Sequence, residues 1–316
     1  MDVDTGVDDA LAIMLALHSP DVSLVGITTT YGNTTVEQAT LNTRFLLDRF
    51  GLEGRIPVVA GAGQSLKRGR SPTSPGVHGE DGLGGLYLRF VEAGWKPPAQ
   101  RAPQAQDAAD FILEQARRYG PDLTLIATAP ITNLGLAIQR APADFRRIGA
   151  LLIMGGAVEI PGNINRVAEW NASRDPEALD LVLRSGVRTV LFPLDVTRQV
   201  TLASSALTDA LGLAPEKLQL IRDLTARYVV FYAEHRGSRG AHLHDATPVA
   251  YLIRPELFRL KSGRLVVDCS NGEEAGRTRW AAPGEDGAPI SVAVEADQAG
   301  FFELFWGALR RTPQAG

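Results

Sequence analysis

The sequence has one cysteine, Cys269, in 316 residues, so no internal disulfide can form. That fits a reducing compartment and a cytoplasmic location. Lysine is nearly absent: Lys67, Lys96, Lys217 and Lys261 stand against twenty-eight arginines among 32 basic residues. We read that imbalance as coding bias, not as a binding surface. There is no basic excess either, since 36 acidic residues leave a net charge of −4 and a pI of about 5.8. A nucleic-acid partner is therefore not expected. No apolar run approaches the roughly 20 residues of a membrane span, so no membrane partner is expected. No signal peptide precedes Asp2, and hardly any strand does. Either the first strand is short or the natural chain begins upstream of Met1; a central strand needs about five residues, which favours the second, and the mass of the native N-terminus would decide.

What is present is a chain that is 45% hydrophobic, enough for a large core. Apolar β-branched runs alternate with amphipathic ones. VSLVGITTTY (22–31), IPVVAG (56–61), LTLIAT (123–128), IGALLIM (148–154) and RTVLFPL (188–194) read as strands. Helices are expected from the capping-box spacing Thr34–Glu37 through Arg49, over 105–118, after Ile131, over 175–186 with Asp175 as N-cap and Pro176 at N1, and through most of 203–235. A Gly-, Pro- and Ser-rich loop spans 63–85. After Phe258 come RLVVDC (264–269) and ISVAVEA (290–296), read as a small strand pair, and a closing helix over 301–311. The expected class is α/β, a mostly parallel open sheet flanked by helices, as one domain over residues 1–316.

Ligands of such sheets bind outside the carboxyl ends of the strands. There the sequence places DTGVDD (4–9), Gly32-Asn33, TAPITN (128–133), MGG (154–156) and LDVT (194–197). The first group is the most demanding. Asp2, Asp4, Asp8 and Asp9 fall within nine residues, and the apolar run Ala10–Leu17 follows at once. A helix N-terminus stabilises an anion by only about 0.3–1 kcal/mol, too little to hold several carboxylates together near a core. A hard divalent cation, Ca²⁺ or Mg²⁺, would do it. The alternative is that Asp8 is an N-cap and the others are solvated.

Two further groups stand out. GNINRVAEWN (162–171) gathers Asn163, Asn165, Glu169 and Asn171 around Trp170, which suits a polyhydroxylated ligand such as a sugar, or else a polar surface loop. AHLHDATPVA (241–250) holds His244-Asp245 ahead of an apolar run, where Asp245 is either a site residue or a plain N-cap.

These residues resemble the inosine-uridine-preferring nucleoside hydrolase family. The opening D-x-D-x-G-x-D-D is present at residues 2–9. The likeness continues through YGNTTVEQATLN (31–42), VHGEDGLGG (77–85), ATAPITNLGLAI (127–138), MGGAVEIPGNINRVAEWNASRDPEA (154–178), LDVT and HDATPVAY (244–251), in order and nearly end to end. The resemblance implies a Rossmann-like mixed sheet, cleavage of the N-glycosidic bond of ribonucleosides, and a resident Ca²⁺. Its ligands would be Asp4, Asp9, the Thr128 carbonyl and Asp245. Asp8 would hold a ribose hydroxyl, Asn163 and Glu169 the 5′-hydroxyl, and Asn171 the 2′/3′ side, with Asn33 at the ribose and water and Met154 against the sugar. Asp4 would accept the proton of the attacking water. His78 would line the base pocket, and His244 would be the acid or hydrogen-bond partner at the leaving base. Trp170 would shape the 5′ pocket. Segments 70–85 and 222–243 would close over the base, with Tyr228, Tyr232 and Arg236 as candidates to touch it. Base preference stays open between pyrimidine and mixed inosine/uridine. A homodimer or homotetramer is implied.

The chain departs from the family pattern in places. Thr5 replaces a common proline, with Gly6 expected to keep the turn. Ala129 stands where glycine is usual, which requires a negative φ. His242 is an additional histidine of open role. Two rival readings remain. One is a haloacid-dehalogenase-type phosphatase, for which DVDTG is nearly a nucleophile motif but no late G-D-x-x-x-D follows. The other is a catalytically silent ribose-binding relative, which would have lost Asp4 or a ligand.

Overall fold

The computed structural model describes residues 1–96, 107–203, 212–238 and 240–314. Its strands are β1 (Asp2–Val3), β2 (Ile27–Thr29), β3 (Val58–Ala60), β4 (Thr124–Ala127), β5 (Ala150–Met154), β6 (Thr189–Phe192), β7 (Thr201–Ala203), β8 (Gly240–His242), β9 (Phe258–Val267), β10 (Thr278–Trp280) and β11 (Ala288–Ala296). Nine form one sheet in the order β10-β9-β11-β6-β5-β4-β1-β2-β3. From β11 to β3 neighbours run parallel, and β9 and β10 add an antiparallel edge. β7 and β8 pair separately.

The central strands are apolar because both faces are covered. Side chains alternate between two cores: Leu151, Ile153 and Leu191 face one, Leu152, Val190 and Phe192 the other. Helices Ala108–Tyr119, Thr132–Arg140 and Pro176–Leu183 cover the first face. Helices Val7–His18, Ala246–Ile253 and Gln298–Leu309 cover the second. Every residue of Val7–His18 is buried, which is why its sequence is apolar all round after the first turn. Burial of each large side chain stabilises it by about 1.5–3 kcal/mol, so the helix that carries Asp8 and Asp9 is held fast.

The chain order reverses at β1. Strands β2 and β3 lie to one side of it, β4, β5 and β6 to the other. That is a topological switch point, where a crevice opens past the strand ends. Asp4 follows β1 and Thr128 follows β4, and the two strands are tied by the Thr128 N–H to the Asp2 carbonyl at 2.9 Å.

Several expectations shift by a few residues. The helix at 175–186 is Pro176–Leu183, with Asp175 Oδ1 accepting from Ala178 N at 3.1 Å. The helix after residue 34 is Val36–Arg49, capped by Thr35 and not Thr34. The strand expected at 22–31 is only Ile27–Thr29, because β1 supplies just Asp2 and Val3 as partners. The helix at 105–118 is Ala108–Tyr119 capped by Asp107, and residues 105 and 106 lie outside the described residues. In 203–235 the helix is Pro215–Arg236, with 204–211 outside the described residues. The C-terminal pair forms as β9 against β11, and β11 pairs in turn with β6, so the pair extends the main sheet.

His18 ends the buried helix. Its Nδ1–H donates to the Met14 carbonyl at 2.7 Å, Nε2 has no partner, and the ring stands edge-on to Phe50. Burial lowers its pKa to about 4, against about 6.5 in an unfolded chain. The unfolded state therefore binds more protons between these values, so this stabilisation is whole above pH 6.5 and is lost as pH falls towards 4. The loss is at most about 3 kcal/mol at ~1.4 kcal/mol per pKa unit. His18→Leu is expected to flatten this part of the stability curve. Urea midpoints of both proteins between pH 7 and 4.5 check it, and parallel curves contradict it.

Candidate active site

Asp4 leaves β1 at full burial, and Asn33 grips it twice. Asp4 Oδ2 accepts the Asn33 backbone N–H at 2.6 Å, and Oδ1 accepts Asn33 Nδ2–H at 3.0 Å. The same Nδ2 reaches Asp9 Oδ2 at 3.1 Å, so one amide holds two carboxylates. Asp9 also accepts the Gly6 N–H at 2.9 Å and the Thr128 hydroxyl at 2.7 Å. The glycines here make space. A Cβ on Gly32 would lie 1.9 Å from Asp4 Oδ2, and one on Gly6 would lie 2.6 Å from His78 Nδ1. Gly6 has φ −91°, so it serves close approach and not the expected turn. Ala129 meets its condition, since no non-glycine among the described residues has positive φ.

Asp8, Asp9 and Asp245 each offer an oxygen, and these oxygens lie within 4.8 Å of one another. Asp8 Oδ1 is buried without a partner. Burial, and then the neighbouring carboxylates, push Asp4 and Asp245 well above the usual carboxylate range and Asp8 to about 7. Burial raises Asp9 as well. Four aspartates gathered without a buried cation among them need a proton or a metal ion. Calcium–oxygen bonds of about 2.3–2.6 Å place ligand oxygens no more than roughly 5 Å apart, so the three oxygens fit one hard cation. Asp4 stands beside Asp9, outside that tightest group.

Asp2 does not join them. Its Oδ1 accepts Thr28 Oγ1–H at 2.6 Å and Asn133 Nδ2–H at 2.8 Å, which ties β1 to β2 and to the helix Thr132–Arg140.

Above the cluster lies a cavity of about 540 Å³, a size suited to a small ligand. Asp8, Asn33, His78, Thr128, Met154, Asn163, Glu169, Trp170, Asn171, Tyr228, Tyr232, His244 and Asp245 all line it. Asn171 Nδ2 donates to the Thr128 carbonyl at 2.9 Å and to Met154 Sδ at 3.4 Å. Glu169 caps the helix Trp170–Arg174: its carboxylate accepts the N–H groups of Gly156, Asn171 and Ala172. Asn163 Oδ1 accepts Trp170 N–H at 2.8 Å, and the Arg174 guanidinium stacks on Trp170 at 3.7 Å. Asn165 is exposed and folds its own loop by accepting from Val167 and Ala168, so it leaves the site.

On the remaining wall, His244 Nε2 shares a hydrogen with Tyr232 OH at 2.8 Å and Nδ1 with Thr197 Oγ1 at 2.7 Å. Tyr228 OH donates to the His242 carbonyl at 3.3 Å. Burial above all keeps His244 and His78 neutral, His78 falling to about 3. Sequence reasoning missed Arg198 and Ser74, which line the cavity, and gave Thr197 no role of its own. LDVT pointed at Thr197, but Asp195 of that motif instead caps the backbone of Val158 and Glu159. Arg236 lines the cavity and donates to the Asn163 carbonyl at 3.1 Å. Of segment 222–243, residue 239 lies outside the described residues.

The family model described as inosine-uridine preferring nucleoside hydrolase matches residues 1–303. Uridine nucleosidase 1 of Arabidopsis thaliana is 33% identical over 312 residues, 96% of this chain and 90% of that protein. The non-specific ribonucleoside hydrolase RihC of Escherichia fergusonii is 37% identical over 306 residues, 95% and 94% of the two chains. The solved purine-preferring ribonucleoside hydrolase from Gardnerella vaginalis superposes with a TM-score of 0.87 at 32% identity, covering 98% of this chain and 96% of that one.

Proposed function

The chain belongs to the inosine-uridine preferring nucleoside hydrolase family and hydrolyses the N-glycosidic bond of ribonucleosides to free base and ribose; we propose that it does so as one calcium-dependent domain over residues 1–316, with a pyrimidine or mixed inosine/uridine preference. The observation that carries the metal is the buried carboxylate group beneath a nucleoside-sized cavity, with Asp8 Oδ1 left unpartnered. Asp9 and Asp245 of that group, Asp4 beside Asp9, and the Thr128 carbonyl would hold the cation, leaving the unpartnered Asp8 Oδ1 to a substrate hydroxyl. When bound, Ca²⁺ supplies a Lewis acid that acidifies a water and grips vicinal hydroxyls.

Asp4 accepts the proton of the attacking water. Asn33 keeps the Asp4 and Asp9 carboxylates in place through its three hydrogen bonds. Asp8 and Asn171 orient the 2′- and 3′-hydroxyls, Glu169 and Asn163 hold the 5′-hydroxyl beside Trp170, and Met154 packs under the sugar. Cleavage passes through an oxocarbenium-like ribosyl cation, and the carboxylates favour its positive charge. His244, fixed between Tyr232 and Thr197, is the acid or hydrogen-bond partner at the leaving base, which His78, Tyr228 and Tyr232 surround.

A panel of ribonucleosides assayed for free ribose, with and without a strong calcium chelator, tests this. Chelation is expected to lower the rate by about 100-fold or more and added Ca²⁺ to restore it, at the level of several kcal/mol that a bound metal supplies. Full activity after exhaustive chelation contradicts it. No described helix is long and apolar enough to cross a membrane. A cytoplasmic location and a homodimer or homotetramer complete the reading, and sedimentation equilibrium decides the assembly.

A further inference from the structure

Two histidines of the cavity wall carry hydrogens that their partners assign. His78 Nδ1 accepts the Val7 backbone N–H at 3.1 Å. A backbone N–H only donates, so neutral His78 keeps its ring hydrogen on Nε2. His242 is the opposite case. Its Nδ1 lies 2.9 Å from Thr201 Oγ1, and that same hydroxyl lies 3.3 Å from the Arg198 carbonyl. The hydroxyl has one hydrogen, and a carbonyl only accepts. Both contacts are hydrogen bonds only if Thr201 donates to Arg198 and His242 Nδ1–H donates to Thr201. His242 Nε2 is then a bare acceptor. It has no hydrogen-bond partner among the described residues, and the ring lines the cavity edge-on to Tyr232 at 4.9 Å between ring centres. Burial and the nearby Arg198 cation keep the ring neutral, with a pKa of about 4.

We propose that His242, pinned by Thr201, sets the base preference: its Nε2 accepts the ring N–H of a base that carries N–H beside C=O, as uracil and hypoxanthine do. The same atom meets a ring lone pair in cytosine or adenine. His78 Nε2–H supplies the complementary donor to the carbonyl. The proposal rests on the ribonucleoside hydrolase reading of this cavity. A site built to pair a polar group rejects the ligand that leaves it unpaired. Thr201 is a positioning residue, since it acts only through the imidazole.

Steady-state hydrolysis of uridine and cytidine, in the wild-type enzyme and in His242→Leu and Thr201→Val, tests it. In the wild type kcat/KM for uridine is expected to exceed that for cytidine by about tenfold or more, and the ratio to shrink by about fivefold or more in both variants. A wild-type ratio near one overturns the proposal, as does a ratio that either folded variant leaves unchanged. A long-range ¹H–¹⁵N spectrum of the wild type reads the tautomer without turnover. A protonated Nδ1 on His242 is expected, and a protonated Nε2 overturns it. In Thr201→Val the ring is expected to populate both tautomers, which a mere loss of packing does not produce. Failure of the folded, calcium-supplemented wild type to release ribose from any ribonucleoside overturns the underlying reading instead, so the two failures are told apart.

Discussion

Asp4→Asn is expected to lower kcat for uridine by about 10³-fold or more while the protein stays folded. A positioned general base contributes roughly 10²–10⁴-fold, and Asp4 is also assigned to the cation. The fold should survive, because the amide oxygen can still accept the Asn33 N–H that Asp4 Oδ2 takes at 2.6 Å. Moreover, the substitution removes one negative charge from a buried group whose members already repel one another. In the presence of chelator the variant is therefore expected to melt no lower than the wild type, and in the presence of Ca²⁺ to gain less from the ion. Asp9→Ala should be inactive too, but less stable, since it strips acceptors from Gly6 N, Thr128 Oγ1 and Asn33 Nδ2. Turnover and melting curves with and without Ca²⁺ check both. Near-normal turnover in Asp4→Asn, or loss of activity through unfolding alone, contradicts the assignment.

2′-Deoxyuridine is expected to be cleaved with a kcat/KM about 10³-fold or more below that of uridine. Loss of one hydroxyl removes a hydrogen-bond partner of Asp8 or Asn171 and a ligand of the cation, and sites built around a hydroxyl discriminate by roughly 10⁴–10⁵-fold. The intrinsic chemistry runs the other way. An electronegative 2′-oxygen destabilises the oxocarbenium ion, so a deoxynucleoside is the more labile molecule in solution. Any preference for ribose must come from the site. Equal kcat/KM for the two substrates removes the diol contact from the mechanism.

Much of the site was legible because the strand-end rule needs only strand order. Asn33, Thr128 and Met154 follow strand ends and line one cavity, and Asp4, which follows β1, is held just beneath it by Asn33. Glu169 and His244 were legible instead from the polar groups at 162–171 and 241–250. The helix Val7–His18 was legible because full burial demands an apolar sequence. The Asp175-Pro176 start was legible because capping is local. Partners far apart in sequence were not. Nothing near Asp2 points to Asn133, 131 residues on, and nothing near His242 points to Thr201.

By itself, then, the sequence determined the αβ alternation, the carboxylates, amides and histidines of the site, and their places at strand ends. Those follow from periodicity, capping and residue chemistry, which act over a few residues. The tertiary structure alone decided that β1 lies at the switch point between β2 and β4. It decided that Asp8 and Asp9 come within 4.8 Å of Asp245. It decided that Gly6 serves space and not a turn, and that His78 and His242 face the cavity in opposite tautomers. Each of these depends on which backbone or hydroxyl a group meets across the fold, and such a meeting is set by packing of the whole sheet and its helices.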